Sequence, residues 1–204
     1  MSVSAGRQAL KRLIFGVCLL IASPLIAIAW IERVLSSSEG LFAGFGQLLA
    51  LLPGLPGTYL RAAFYFATLE KCSWQTHIGF GSIFTHRAAT LGSNVTMGAY
   101  CVIGHVRIGD EARLASRVSI PSGKRQHLDP AGQLCSGPAR FDTVTIGRGT
   151  WVGEGAIVMA DVGSACIVSA GAVVGNAVPD RCLVGGNPAR VLREFGVVET
   201  RAVS

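Results

Sequence analysis

A six-residue repeat constrains this chain more than any other feature. In the stretches 146–151, 152–157, 162–167 and 168–173, an aliphatic residue opens each six and glycine or another small residue usually follows. The same pattern occurs earlier, in 91–96, 97–102, 108–113 and 114–119. A period of six fits neither an α-helix nor a simple strand. It is typical of a parallel β-helix, in which three sixes make one triangular coil.

The repeat also predicts how the chain packs. The aliphatic residues should point into a narrow prism, while glycines let the backbone turn tightly at the corners. One coil cannot bury its own interior, so the coils must stack. We expect this β-helix domain to cover residues 73–195, followed by a tail at 196–204, with residues 191–195 forming a terminal helix or cap.

Two interruptions break the period. A four-residue piece, 158–161, shortens one coil. A loop at 126–142 has no periodicity and contains two prolines and two glycines. Insertions in a solenoid lie on one face and often carry its function.

The N-terminal region, residues 1–72, has a different character. The chain is 50% hydrophobic with a mean hydropathy of +0.48, and this apolar excess lies in two runs, 13–31 and 41–60. The first run is uncharged and long enough to cross a hydrocarbon core of ~30 Å, and Pro24 should kink it. Pro53, Gly54, Pro56 and Gly57 break the second run. We therefore predict a membrane-associated hydrophobic helical hairpin.

Three arrangements of these runs stay open. They are a cleaved signal peptide with an Ala-Ile-Ala site at 27–29, a single span, and a hairpin that is either two spans or re-entrant. Basic residues flank the pair on its outer sides, which favours the hairpin with both ends in the cytoplasm. We thus expect the inner (cytoplasmic) membrane, with the β-helix domain facing the cytoplasm. Residues 61–69 predict a short amphipathic helix that lies at the membrane surface or caps the first coil.

Charge and cysteine content limit the partners. The net charge of +6 suits a membrane surface or the phosphates of a nucleotide cofactor. No aromatic-and-basic array or helix-turn-helix pattern is present, so nucleic acid is not an expected partner. The six cysteines are scattered, with no Cys-x-x-Cys pair, and should act as small hydrophobic residues in a reducing compartment.

Over residues 78–193 the chain resembles the hexapeptide-repeat acyltransferases, in particular the xenobiotic, galactoside and exopolysaccharide O-acetyltransferases. The resemblance is carried by the repeats, by Ser-Gly-Lys-Arg-Gln-His at 122–127, by Ile-Gly-Arg-Gly-Thr-Trp-Val-Gly at 146–153 and by Gly-Gly-Asn-Pro-Ala-Arg at 185–190. It implies an all-β, left-handed parallel β-helix, an exception to the usual right-handed crossover. It also implies acetyl-CoA as co-substrate and a homotrimer with each site between two prisms.

Acyl transfer from a thioester needs a base that titrates near neutral pH, and histidine fits this best. The resemblance assigns that role to His127, at the entry to the loop. Asp129 and Asp142 are both candidates to hold its other ring nitrogen. His86, in an irregular coil, and His105, at an outward repeat position, are candidates to bind the acceptor.

The resemblance also places acetyl-CoA along the C-terminal coils. Trp151 would pack against the pantetheine arm, small residues would let that arm approach the backbone, and the terminal turn would meet the adenine. Basic residues are chosen for the phosphates on charge alone. The full set for acetyl-CoA is Lys124, Arg148, Trp151, Gly153, Gly155, Ala170, Gly171, Asn187, Pro188 and Arg190. No metal is expected, because a γ-carbonic-anhydrase-like site needs three convergent histidines and the spacing gives no such set.

A sugar-type acetyltransferase prism joined to a membrane region predicts an acceptor at the membrane. We expect an O-acetyltransferase that modifies a sugar hydroxyl in cell-surface polysaccharide or lipid-linked glycan biosynthesis. N-acetylation of an amino sugar and a non-catalytic membrane scaffold remain alternatives. The Ile-Pro-Ser-Gly entry to the loop and the shortened coil depart from the family pattern, which leaves the acceptor open.

Overall fold

The computed structural model describes residues 2–128, 133–134, 137 and 139–196. Three helices come first: α1 (Ser2–Leu35), α2 (Gly40–Ala50) and α3 (Gly54–Thr68). Short strands follow: β1 (His77–Ile78), β2 (Ile83–Phe84), β3 (Ala89–Leu91), β4 (Thr96–Met97), β5 (Val102–Ile103), β6 (Val106–Ile108), β7 (Arg113–Leu114), β8 (Ser119–Ile120), β9 (Val144–Ile146), β10 (Trp151–Val152), β11 (Ile157–Val158), β12 (Ile167–Val168), β13 (Val173–Val174), β14 (Cys182–Gly186) and β15 (Ala189–Glu194).

The strands form the three faces of a prism. The first face has the order β1-β4-β7-β10-β12-β14-β15, the second β13-β11-β8-β5-β2 and the third β3-β6-β9. Each strand up to β14 pairs in parallel with the strand one coil away, so Thr96 faces His77 on one side and Arg113 on the other. This is the predicted left-handed β-helix, with about 6 turns. We number the coils from the N-terminal end, so β1–β3 make coil 1 and β12 begins coil 5.

The repeat positions fill the prism as predicted. The aliphatic residues that open the repeats are at most 3% exposed: Leu91, Met97, Ile103, Ile108, Leu114, Ile120, Ile146, Val152, Val162, Val168 and Val174. Three cysteines, Cys101, Cys166 and Cys182, are buried and free, which confirms their prediction as small core residues. Cys135 lies outside the described residues.

Both predicted interruptions lie at the same corner of the prism. The insertion between β8 and β9 covers residues 121–143, slightly more than the predicted 126–142. In coil 4, residues 159–161 are followed by Val162, which bridges Ile146 and Val178 without forming a strand. The corner between the second and third faces is therefore the irregular one.

α2 and α3 close the N-terminal end of the prism. Arg61 of α3 is fully buried, and its guanidinium donates to the carbonyl oxygens of Ile78 (3.1 Å), Leu49 (3.1 Å) and Leu52 (2.7 Å). These bonds join α3, the end of α2 and β1. The cap interpretation of residues 61–69 is thus confirmed.

The two-span version of the predicted hairpin is wrong. The run 41–60 is divided between α2 and α3, because the chain turns at Pro53 and Gly54. Each of these helices is shorter than the roughly 20 residues that a span requires. Among the described residues, only the helical stretch Gly6–Leu35 is long and apolar enough to cross a membrane.

α1 continues through Pro24 and packs one side against α3, where Phe15, Cys18, Ala62 and Ala63 form one buried cluster. Its other side exposes large apolar residues: Leu10, Leu13, Val17, Leu20, Ile21, Ile28, Trp30, Ile31, Val34 and Leu35. An exposed apolar surface of this extent is typical of a protein or membrane contact.

The C-terminal end is closed by a hairpin. β15 pairs antiparallel with β14 and becomes the edge strand of the first face. The helix expected as one alternative for residues 191–195 is therefore wrong, and the cap alternative is right. A paired strand gives the backbone groups of β14 hydrogen-bond partners that a helix there would leave open.

Candidate active site

The irregular corner between the second and third faces, called here the loop corner, stacks one segment from each coil. Its segments are residues 85–88, 104–105, 121–143, 159–161 and 175–177. Three of the four histidines lie in this column. The topology therefore brings His86, His105 and His127 to one edge of the prism.

The base of the loop is fixed to the coil beneath it. Buried Ser122 accepts a hydrogen bond at Oγ from the backbone N–H of His105 (2.8 Å) and one at its carbonyl from Asp142 N–H (3.0 Å). Gly123 has φ +84, and a Cβ there would lie 2.8 Å from the Cβ of Asp142. This position needs glycine for both its conformation and its space.

His127 is exposed and lies one residue beyond Gln126, whose carbonyl accepts the N–H of Arg140 (2.9 Å) and closes the base of the loop. Between described residues, no hydrogen bond of the His127 ring is found. Asp142, one candidate to orient that ring, instead pairs with Arg140 (3.3 Å). Asp129, the other candidate, lies outside the described residues.

Lys124 ties the loop to coil 5. Its Nζ donates to the carbonyl oxygen of Gly175 (2.7 Å) and to Asn176 Oδ1 (3.3 Å). A cavity of about 360 Å³ opens between Lys124 and the shortened coil 4. It is lined by Gly123, Lys124, Arg125, Arg140, Asp142, Thr143, Val144, Met159, Ala160, Asp161 and Ala177. The missing residues of coil 4 thus leave space beside the loop that carries His127.

His86 and His105 lie together one coil apart. Their ring centroids are 4.5 Å apart at 84°, and Phe141, from the returning arm of the loop, lies 4.4 Å from His86 and 5.2 Å from His105. Burial, and secondarily the neighbouring His86, lowers the pKa of His105 below its ordinary value. His105 is therefore held neutral at pH 7.

Glu39 and Phe141 are parts of this cluster that the sequence did not reveal. Glu39 Oε2 lies 2.8 Å from His86 Nδ1, although 47 positions separate the two residues. The helical hairpin prediction gave no reason to place the link between α1 and α2 against coil 1. Phe141 lies in an aperiodic loop, where no repeat position indicates which way a side chain points.

A second group of expected residues lies at the corner between the first and second faces. Trp151, on β10, is 51% exposed and sits between Arg113 and Ile167 of the neighbouring strands. At the corner itself, Gly155 and Gly171 have φ +68 and +67, and a Cβ on either would meet nothing within 4 Å. The backbone there is open to close approach by a ligand.

The remaining expected residues are spread further. Arg148 lies at the third corner and pairs with Glu111 (3.0 Å). Asn187 and Pro188 form the turn between β14 and β15, and Arg190 follows in β15. Of the residues expected to bind acetyl-CoA, Lys124 shares the loop corner with His127. The others described here occupy different edges or the C-terminal end of the prism, so one chain does not bring them together with His127.

The loop corner offers histidine side chains beside an open cavity, and the corner that holds Gly155 and Gly171 offers accessible backbone. This pairing suits proton transfer and binding of an extended ligand. Within the described parts of the chain, no group of three or more His, Cys, Asp or Glu residues could hold a metal ion.

Comparison with known proteins gives relatives of one kind. No family model matches the chain. The chain is 28% identical over 102 residues to WbbJ of Escherichia coli K12, a protein assigned by name to lipopolysaccharide biosynthesis as an O-acetyl transferase. The match covers 46% of this chain and 52% of WbbJ, so the chain spans about half the length of this curated relative.

Solved structures resemble the whole prism. A maltose O-acetyltransferase from Clostridium difficile 630 superposes with a TM-score of 0.66 at 20% identity, covering 76% of this chain and 85% of that one. A galactoside acetyltransferase in complex with coenzyme A gives 0.60 at 17%, covering 79% and 84%. A Vibrio cholerae hexapeptide-repeat acetyltransferase complexed with acetyl coenzyme A gives 0.58 at 19%, covering 78% and 91%.

The chain is similar to hexapeptide-repeat acetyltransferases. The repeat, the β-helix and the match to WbbJ agree on this. The likeness to the solved members, at 20% identity or less, establishes the hexapeptide-repeat fold.

Proposed function

We propose that this protein is an acetyl-CoA-dependent O-acetyltransferase that modifies a sugar hydroxyl. The observation that carries the proposal is the loop corner. There Lys124 fixes the loop that contains His127 to coil 5, beside a cavity of about 360 Å³. The names of WbbJ and of the maltose and galactoside enzymes support a sugar as acceptor. The acceptor would be part of a cell-surface polysaccharide or a lipid-linked glycan.

In this proposal His127 is the general base. Its exposure leaves its ring accessible to an acceptor hydroxyl. When bound, acetyl-CoA supplies a thioester carbonyl for that hydroxyl to attack. His127 takes the hydroxyl proton as the new C–O bond forms, and returns it to the thiolate of CoA as the C–S bond breaks. Backbone N–H groups would stabilise the oxyanion between these steps.

The residues proposed for acetyl-CoA fit an extended ligand along the prism. Exposed Trp151 offers an aromatic face, and the open backbone at Gly155 and Gly171 permits close approach of a thin chain. Lys124, Arg148 and Arg190 would serve the phosphates, with Asn187 and Pro188 at the far end. His127 and Trp151 lie on different edges of one chain, so a complete site needs two neighbouring prisms. This supports the homotrimer of the proposal.

We place the protein at the inner membrane with the prism in the cytoplasm. The exposed apolar side of α1 and the basic residues Arg7, Lys11 and Arg12 near its N-terminal end support membrane contact. Because α2 and α3 pack on coil 1, the helical region would hold the end of the prism at the bilayer. An acceptor carried on a lipid would then reach the loop corner without leaving the membrane.

The deciding experiment measures CoA release from acetyl-CoA in membranes that contain the wild type, His127→Ala or His77→Ala. Lipid-linked and soluble sugars are offered in parallel. Removing a general base should slow turnover by about 10²–10⁴-fold in His127→Ala. His77→Ala, which removes a histidine of β1 far from the loop, should keep its turnover.

Equal turnover in His127→Ala and wild type would reject His127 as the base. No turnover with any sugar would contradict the acetyltransferase proposal itself. Preference for a soluble sugar over the lipid-linked one would remove the reason given for the membrane region.

A further inference from the structure

The link between α1 and α2 is fixed against coil 1 by buried charges. The carboxylate of Glu32, at the end of α1, accepts the N–H groups of Leu41 (2.7 Å) and Phe42 (3.0 Å) and pairs with the guanidinium of Arg87. The side chains of Glu32 and Arg87 are only 5% and 9% exposed. This pairing sets the position of Glu39, which follows in the same link.

Both oxygens of the Glu39 carboxylate are used. Oε1 accepts the backbone N–H of Arg87 (3.0 Å), and Oε2 lies 2.8 Å from His86 Nδ1. A carboxylate can only accept, so the proton of a neutral His86 must reside on Nδ1. Nε2 is then left without a proton and acts as a hydrogen-bond acceptor.

His86, His105 and Phe141 form what we call the aromatic shelf. The rings lie 4.4–5.2 Å apart, and Phe141 is 41% exposed while the His86 side chain is 22% exposed. The shelf thus combines the partly exposed ring of Phe141 with the ring nitrogens of His86, whose donor and acceptor roles are fixed by Glu39. A sugar ring needs this combination, since its C–H face packs on an aromatic ring and its hydroxyls need polar partners.

We propose that Glu39 is a positioning residue: it fixes the tautomer of His86 so that Nε2 accepts a hydrogen bond from a hydroxyl of a sugar lying on the aromatic shelf. This inference rests on the proposed function and adds that the helical region contributes to the acceptor site. The sugar would contact Phe141 through its ring face and His86 through one hydroxyl.

Glu39→Gln is a substitution of nearly equal shape that reverses the tautomer. The N–H of Arg87 can only donate, so it retains the single oxygen of the new amide. The NH₂ group then faces His86 Nδ1 and donates to it. His86 must then carry its proton on Nε2 instead. Nε2 thereby changes from a hydrogen-bond acceptor for the sugar hydroxyl to a donor.

The tautomer is measured by ¹⁵N NMR of the histidine side chains in the full-length protein, at about pH 8, above the ordinary histidine pKa of ~6.5. His86→Phe identifies the His86 resonances by their loss. We expect a proton on Nδ1 in the wild type and on Nε2 in Glu39→Gln. The control is Glu70→Gln, which changes a carboxylate lining the same 440 Å³ cavity as Glu39 and should leave His86 unchanged. A wild-type proton on Nε2, or no change in Glu39→Gln, would overturn the positioning role.

The second arm uses acetyl transfer to the sugar accepted in the assay above. Glu39→Gln should raise the KM for the sugar by about two- to tenfold, the value of one hydrogen bond, with kcat and the KM for acetyl-CoA retained. The effect on KM is modest because the sugar hydroxyl can rotate and accept a hydrogen bond from the Nε2–H group of His86. His86→Phe keeps the ring but removes both nitrogens, so it should raise the same KM even if Glu39→Gln does not fold.

An unchanged sugar KM in both variants would overturn the acceptor role. So would a fall in kcat at unchanged KM, which would place His86 in the proton transfer. If the wild type transfers no acetyl group at all, the acceptor role falls together with the proposed function. The NMR result still decides, independently, whether Glu39 sets the tautomer.

Discussion

Replacing Arg61 by methionine should detach the helical cap from the prism. The guanidinium is fully buried and bonds to three backbone carbonyls, those of Leu49, Leu52 and Ile78. Methionine keeps most of the apolar stem but has no donor. All three oxygens would then lose this donor in a place that water reaches poorly, although the carbonyl of Leu49 still accepts the N–H of Leu52 (3.2 Å).

The magnitude follows from two opposing effects. A hydrogen bond from a charged donor contributes about 1.5–3 kcal/mol, so three of them contribute several kcal/mol. Removing a buried charge also removes its desolvation cost, which offsets part of this loss. We expect a net loss of about 3–5 kcal/mol, in line with breaking a buried polar network. For a chain of this size that corresponds to a fall in Tm of roughly 6–20 °C.

The assay is thermal unfolding of the purified protein in detergent, with Arg117→Met as the matched control. Arg117 pairs with Glu154 at 3.5 Å on the surface, where its side chain is 73% exposed. That pair should contribute less than about 1 kcal/mol. Equal shifts in Tm for Arg61→Met and Arg117→Met would refute the role given to the buried hydrogen bonds.

Three further predictions concern stability. Tyr65→Phe should cost about 1–3 kcal/mol in unfolding free energy, because the Tyr65 hydroxyl accepts the buried N–H of Phe84 (3.2 Å). Burial lowers the folded-state pKa of His105 below 6.5, so stability should be full above about pH 6.5 and fall as the pH drops through that value; His105→Asn should flatten Tm against pH. Gly147→Ala should lower Tm strongly, since a Cβ would lie 2.3 Å from a backbone nitrogen, whereas Gly175→Ala, with nothing within 4 Å, should not.

The prism could be predicted because its determinant is local. Each repeat places one aliphatic residue inside the prism, so the position of Ile120 or Ile146 within its repeat predicts that the side chain is buried. Both are 0% exposed. Stacking then follows, since no coil is stable alone. The end of the loop was predicted to within one residue and its start to within five, because the period stops at Ile120 and returns at Val144.

The helical region could not be predicted to the same depth. Hydropathy identified the two apolar runs and the break at Pro53, but it does not say which side of a helix packs on protein. Residues 61–69 were expected either at the membrane surface or as a cap of the first coil, and neither expectation indicated that Arg61 would be fully buried. A buried arginine is indicated only by the carbonyls that surround it, and those come from residues 9–17 positions away.

The functional corner is the place where the repeat fails. Where the period is intact, the outward side chains of successive coils have similar surroundings, and every coil presents an equivalent edge. At the loop corner three irregular segments converge: Glu39 from the helical link, Phe141 from the insertion and the short segment 159–161 of coil 4. Each irregular segment makes its coil differ from the neighbouring coils. Together these segments form the aromatic shelf and the cavity beside Lys124, which a regular repeat does not encode. Specificity for the acceptor should therefore change when these segments are exchanged between relatives, while exchange of whole regular coils should leave acceptor specificity unchanged.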